Sequence, residues 1–227
     1  MLKKFLLTAV VLLCEAGQCF GDIIFQIVSA DPASTVVGQA TGVVGIGYSR
    51  GSGIDAVAGG GTFNSDNFTL NGTESQAVTN NDFLEWSFTS GVNSYDLKTF
   101  DLRYDRSPTG PTNLRIDFQS NGGAFATVFT DVAVNVNGED NAGISLSVIA
   151  VTSGKFRLYG WGATDVAGTF DFENAAAIGT NGANPVSFEL NGTITAVPEP
   201  TSLVLLGIAG CTGLVAAYRR RRSKGCS

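Results

Sequence analysis

Apolar and polar residues alternate with a period of two through most of the middle of the chain. Leu84, Trp86 and Phe88 share one face, as do Phe100, Leu102 and Tyr104. Leu114, Ile116 and Phe118 alternate with Arg115 and Asp117, and Val132, Val134 and Val136 repeat the spacing. Ile144, Leu146 and Val148 follow, then Phe156 and Leu158 between Lys155 and Arg157. Phe170 and Phe172 flank Asp171, and Val186, Phe188 and Leu190 alternate with Ser187 and Glu189. Runs of this kind read as strands with one buried face each. Turn formers separate them: Asn71-Gly72, Gly91-Val92-Asn93, Asn121-Gly122-Gly123, Asn137-Gly138-Glu139-Asp140, Thr180-Asn181-Gly182 and Asn191-Gly192. No apolar stripe of helical period lasts three turns between the two ends of the chain. The pattern predicts an all-β fold, an antiparallel two-sheet β-sandwich of jelly-roll type. Its expected core is Trp86, Phe100, Leu102, Ile116, Phe118, Val134, Leu146, Leu158, Phe170, Phe172, Phe188 and Leu190.

The stretch from Asp22 to Asn81 is less regular and rich in glycine, with Gly45-Ile46-Gly47 and Gly59-Gly60-Gly61. A dinucleotide fingerprint needs its glycines at a strand-to-helix junction, and a phosphate loop needs Gly-Lys-Ser/Thr. Neither context is present, so these glycines read as punctuation of strands and bulges.

Both ends break the alternation. Met1-Leu2-Lys3-Lys4 is basic, Phe5 to Leu13 is apolar apart from Thr8, and Cys19-Phe20-Gly21 supplies small residues at the −3 and −1 positions. Residues 1–21 therefore read as a signal peptide removed before Asp22 by signal peptidase. The residue before Cys14 is Leu13, too large for a lipoprotein signal. At the other end, an uncharged run from Thr201 to Tyr218 follows Val197-Pro198-Glu199-Pro200 and precedes Arg219-Arg220-Arg221-Arg222. Eighteen helical residues at ~1.5 Å each reach roughly 27 Å, near the lower limit for a bilayer's hydrocarbon core. Gly207, Gly210 and Gly213 suit a lipid-embedded helix, and the arginines form a basic stop over 219–224 that stays in the cytoplasm. The expected organisation is a signal peptide over 1–21, an exported domain over 22–196 and a membrane tail over 197–227, with a transmembrane helix over 201–218.

The tail resembles the PEP-CTERM sorting signal: Val197, Pro198, Glu199 and Pro200, a short helix and an arginine cluster, in that order. The resemblance implies an exported bacterial surface protein, from a species that makes exopolysaccharide, whose Pro-Glu-Pro motif is read by an exosortase. A weaker resemblance, over about Leu97 to Thr195, rests on Arg106-Ser107-Pro108-Thr109-Gly110-Pro111, Phe156 to Ala163 and Gly168-Thr169-Phe170-Asp171-Phe172. It is to the lectin-like β-sandwich bodies of other PEP-CTERM proteins, and it implies a body type without a ligand.

Removing the ends changes the chemistry on offer. All four cysteines (Cys14, Cys19, Cys211 and Cys226) fall outside 22–196, so the body has no disulfide and no thiol chemistry. Between those limits acids outnumber bases by about eleven, which argues against nucleic-acid binding and suits cations or neutral polymers. The chain has no histidine, which removes Ser-His-Asp triads, His-Glu-x-x-His zinc sites and histidine general bases together. Glu74, Glu85, Glu139, Glu173 and Glu189 are the glutamates left for paired-carboxylate glycoside hydrolysis, which requires a separation of ~5–10 Å. Their sparseness favours a non-enzymatic body.

Two binding features stand out. Tyr159 and Trp161 alternate with Phe156 and Leu158 on one strand, a candidate glycan platform if that face is exposed. Asn137, Glu139, Asp140 and Asn141 form an oxygen-rich turn, and Asp101, Asp105 and Asp171 are spread along strands. These are candidates for a structural calcium, although no EF-hand spacing occurs and no other cofactor is expected. The sequence reading is an exported, non-enzymatic surface or matrix protein, anchored through 201–218 and then sorted, with polysaccharide as candidate partner. The alternatives are a carbohydrate-active enzyme on the same scaffold or a purely structural envelope component.

Overall fold

The computed structural model describes residues 22–196, apart from 31–32, 59–60 and 92. The expected signal peptide, sorting motif, transmembrane helix and basic stop lie outside the described residues. Among the described residues, no helix is long and apolar enough to cross a membrane.

Strands β1 (Asp22–Val28), β2 (Thr35–Val37), β3 (Val43–Arg50), β4 (Asp55–Ala56), β5 (Phe63–Asp66) and β6 (Thr69–Leu70) precede a two-turn helix, α1 (Glu74–Asn80). Then come β7 (Phe83–Ser90), β8 (Asn93–Arg106), β9 (Asn113–Ser120), β10 (Phe125–Asp131), β11 (Glu139–Val151) and β12 (Ser153–Ala163). The chain closes with β13 (Phe170–Phe172), β14 (Ala175–Asn181), β15 (Asn184–Val186) and β16 (Phe188–Ala196). One sheet has the order β2-β1-β16-β8-β13-β5-β4, with β11 along the other edge of β8. The second has the order β10-β9-β12-β7-β3, and β6 lies beside the end of β12. Every ladder is antiparallel except the short β6–β12 contact. The expected two-sheet sandwich is the observed fold.

Alternation explains why the sheets face each other as they do. All twelve residues of the expected core are buried. Trp86 of β7 and its cross-strand partner Phe156 of β12 stack 5.3 Å apart. Phe188 of β16 meets both rings edge-on from the opposite sheet, at 5.4 Å. The intervening residues Glu85, Lys155 and Arg157 point outward and pair with one another. The Asn121-Gly122 signal also forms as read. Both residues have positive φ, and Gly123 N–H bonds the Ser120 carbonyl, giving the type I′ turn that matches strand twist.

Two local expectations are corrected. Val132, Val134 and Val136 do not extend a strand, since β10 ends at Asp131 and the three sit in the loop before β11. Only Val134 is buried; its N–H bonds the Thr112 carbonyl, and Arg106 holds its carbonyl oxygen. Asn191-Gly192 is not a turn but a bulge inside β16, where the pairing with β8 slips. A Cβ at Gly192 would stand 2.7 Å from the Asp96 carbonyl oxygen, so only glycine admits that approach. The stretch before Asn81, read as less regular with glycines punctuating its strands, supplies β1 to β6. Its strands are mostly short, and β3 is broken by a register shift between Ile46 and Ser49.

Gly154 of β12 is another position set by packing. A Cβ there would press into the ring edges of Phe88 and Phe118 in the core. Gly154→Ala is therefore expected to destabilise the domain by about 1–3 kcal/mol, despite alanine's lower backbone entropy. Gly91→Ala is the control, because nothing lies within 4 Å of a Cβ at that position. Thermal unfolding followed by circular dichroism should show a loss for the first only, from a spectrum dominated by strand.

Candidate functional site

Tyr159 and Trp161 do lie on the outer face of the second sheet, but they do not form an open pair. Tyr159 is buried, a correction to the expected platform. The cause is α1, which packs against β12. Thr73 and Gln76 cap its first turn reciprocally, and Glu74 pairs with Arg115 beside Tyr159. The Arg115 guanidinium lies 5.1 Å from the Tyr159 ring centre, and Phe83 meets that ring edge-on at 5.7 Å. Trp161 remains half-buried at the end of β12, paired with Thr69 of β6.

The calcium candidates divide. Asp105 and Asp171 are direct partners across β8 and β13, and with Glu173 they bring carboxylate oxygens within 4.8 Å of one another. The Asn137 turn does not join them. Glu139 accepts from the Asn135 N–H, and Asp140 accepts from Arg103, which also holds Glu173 at 2.8 Å. Burial, and then the hydrogen-bonded Asp105 carboxyl, push the Asp171 pKa up to about 8. The cluster offers three carboxylates, of which Glu173 is already held by Arg103, against the six to eight convergent oxygens that calcium takes. Asp101 lies elsewhere on β8, where it accepts from Gly143 N–H, and burial raises its pKa.

Sequence reasoning missed the concave site. A cavity of about 420 Å³ opens between the β6–α1 region, the turn before β4 and the loop after β12. Its lining includes Asp82, Thr69, Asn80, Asn67, Leu70 and Val166. Helix termination builds the floor. The chain leaves α1 at Asn81, which adopts the left-handed conformation, and the Asp82 N–H turns back to the Ala77 carbonyl. This drives Asp82 inward, where it is only 2% exposed. Its pKa is raised by that burial, against hydrogen bonds from the Thr69 hydroxyl and N–H and from Asn80. Asn80 Nδ2 also donates to the Thr69 hydroxyl at 3.0 Å. Among the described residues Asp82 has no cationic partner within salt-bridge distance. Gly53 closes the opposite side, where a Cβ would collide with Asp82 Oδ1 and the Asn80 carbonyl. Asn67, with φ +63°, forms the wall by donating to the Gly53 carbonyl and binding the Val166 carbonyl through its own N–H. The signal for this site was a lone Asp after Asn-Asn, which no periodicity marks.

Residues 196–222 match the PEP-CTERM protein-sorting motif. The chain carries a PEP-CTERM sorting tail. Such a tail marks an exported protein processed at the membrane. No curated protein matches the chain in sequence. Among solved structures, a family 29 carbohydrate-binding module is similar; it was studied as a tyrosine-to-alanine mutant to probe ligand recognition. The similarity covers 75% of this chain and 89% of that one, at 12% identity and a TM-score of 0.33, and no ligand carries across at that level.

The Asp105–Asp171 pair gives the domain a pH dependence of definite sign. Asp171 titrates near 3.8 without its surroundings and near 8 within the fold, so the native state holds the extra proton between those values. Its contribution is full below about pH 4 and is lost as pH rises through about 8. Asp171→Asn should remove that loss while keeping a donor toward Asp105. Melting temperatures of the two proteins should diverge between about pH 5 and about pH 9, with the variant higher by a few degrees at the alkaline end.

Proposed function

We propose that this chain is a non-enzymatic exported surface protein, delivered by its N-terminal signal and processed at its PEP-CTERM tail by an exosortase. The motif match over 196–222 carries the reading. The β-sandwich is then the displayed part, an acidic glycan-associated or adhesive domain of the cell envelope, surface or matrix. The absence of histidine throughout the chain and the placement of all four cysteines outside 22–196 support a non-catalytic role. Val197, Pro198, Glu199 and Pro200 would be the segment that the exosortase reads. Prolines hold such a segment extended, so its backbone can enter a protease cleft without first unwinding a helix. The apolar run over 201–218 would hold the precursor in the membrane, and Arg219, Arg220, Arg221 and Arg222 would fix its orientation.

Replacing Pro198, Glu199 and Pro200 by alanine should leave membrane insertion intact and accumulate a full-length precursor. Replacing the four arginines by serine should instead disturb retention or orientation. The measurement is the intact mass and membrane fraction of each protein in an exosortase-containing host. A wild-type mature mass that still includes the arginines would leave only a single-pass anchor.

A further inference from the structure

The cavity floored by Asp82 holds an acid that is only 2% exposed and has no cation within salt-bridge distance among the described residues. Burying a carboxylate carries a large desolvation penalty unless hydrogen bonds replace the lost water. Here the Thr69 hydroxyl and the Asn80 amide supply part of that replacement, and the carboxylate still lines an open cavity of about 420 Å³. That volume lies within the range of small-ligand sites.

We propose that this cavity is a binding site for one ring of a neutral saccharide. This deepens the reading of the body as a glycan-associated display domain and rests on it. The chemistry of the lining selects the class. Asp82 accepts hydrogen bonds only, whereas the Asn67 and Asn80 amides and the Ser52 hydroxyl, which also line the cavity, can donate and accept. A ligand that satisfies them must carry several groups able to do both, and adjacent ring hydroxyls meet that requirement. Leu70 and Val166, 43% and 55% exposed, supply apolar surface on the lining for the C–H face of a ring. No lysine or arginine lines the cavity, so an acidic sugar would meet the Asp82 charge without compensation. A hard divalent cation would find a single carboxylate where it needs six to eight oxygens. Trp161, paired with Thr69 and half-buried, stands one strand from the floor, where a following sugar unit could stack.

The test uses the purified full chain in detergent, with binding read by saturation-transfer NMR and calorimetry. The probes are glucose, galactose, mannose, N-acetylglucosamine, glucuronate, lysine amide and calcium chloride. At least one neutral hexose should bind in the millimolar range, and glucuronate should not. Asp82→Asn, which keeps the shape but exchanges an acceptor for a donor, should weaken that binding at least tenfold. Val166→Trp, a change at an exposed position of the lining, should block the cavity and weaken it equally without lowering the melting temperature. The second variant decides the matter if the first fails to fold. The proposal is overturned if no neutral hexose binds, if Val166→Trp binds as well as the parent, or if lysine amide or calcium competes with the sugar. Failure of the cavity alone would leave sugar binding that Val166→Trp does not change, whereas failure of the glycan-associated reading would leave no sugar bound at all.

Discussion

The rest of the domain depends on a slab of aromatic rings held between two sheets. Tyr48 stacks on Phe172 at 4.0 Å, Trp86 stacks on Phe156, and Phe25, Phe100 and Phe188 fill the space around them. Each such contact contributes about 0.5–1.5 kcal/mol beyond the area it buries. Rings are also stiff, so the slab sets sheet spacing and register together. A domain of this size then needs no covalent staple, in keeping with the absence of cysteine between residues 22 and 196. The few polar atoms inside are mostly served: the Tyr48 hydroxyl bonds Ser187 Oγ at 2.9 Å, and burial pushes its phenol pKa upward.

With the interior fixed by rings, the two outer faces are free to differ. On the second sheet, burial alone would raise the Glu85 pKa, but Arg157 and Lys155 hold it below the usual range. Arg157 also lies over Phe83 and Phe125, and this face is close to neutral locally. On the first sheet Asp101, Asp105 and Asp171 have fewer bases around them, and Arg103 neutralises only Asp140 and Glu173. Edge strand β3 is protected differently. Gln39 accepts from its Gly45 N–H and Ser34 from its Tyr48 N–H, at 2.7 and 2.6 Å, which blocks pairing with another chain.

This division suits a displayed domain. The sorting motif is a short C-terminal segment, residues 196–222, that reads as linear text. The proposed binding site depends on what the loops at the ends of the strands enclose. The cavity at Asp82 draws on the turn before β4, the β6–α1 connection and the loop after β12, three segments far apart in sequence.

Sequence alone determined the fold class, the core and the sorting tail, because each is a local or periodic signal. Burial on one face forces the period-two alternation of the core strands, and the sorting motif over 196–222 is a contiguous stretch that a sequence pattern can match by itself. What only the tertiary structure decided is which outward residues meet. Alternation places Tyr159 outside the sheet, but α1 packs on its strand and Arg115 and Phe83 lie against its ring, with Arg115 held by Glu74 from forty-one residues earlier. Nothing in the pattern says that Asp105 and Asp171 share a register or that Gly192 is a bulge. Nor does it mark Asp82, whose burial follows from one left-handed residue at the end of a two-turn helix. Those features arise from contacts between distant segments, and such contacts leave no period in the chain.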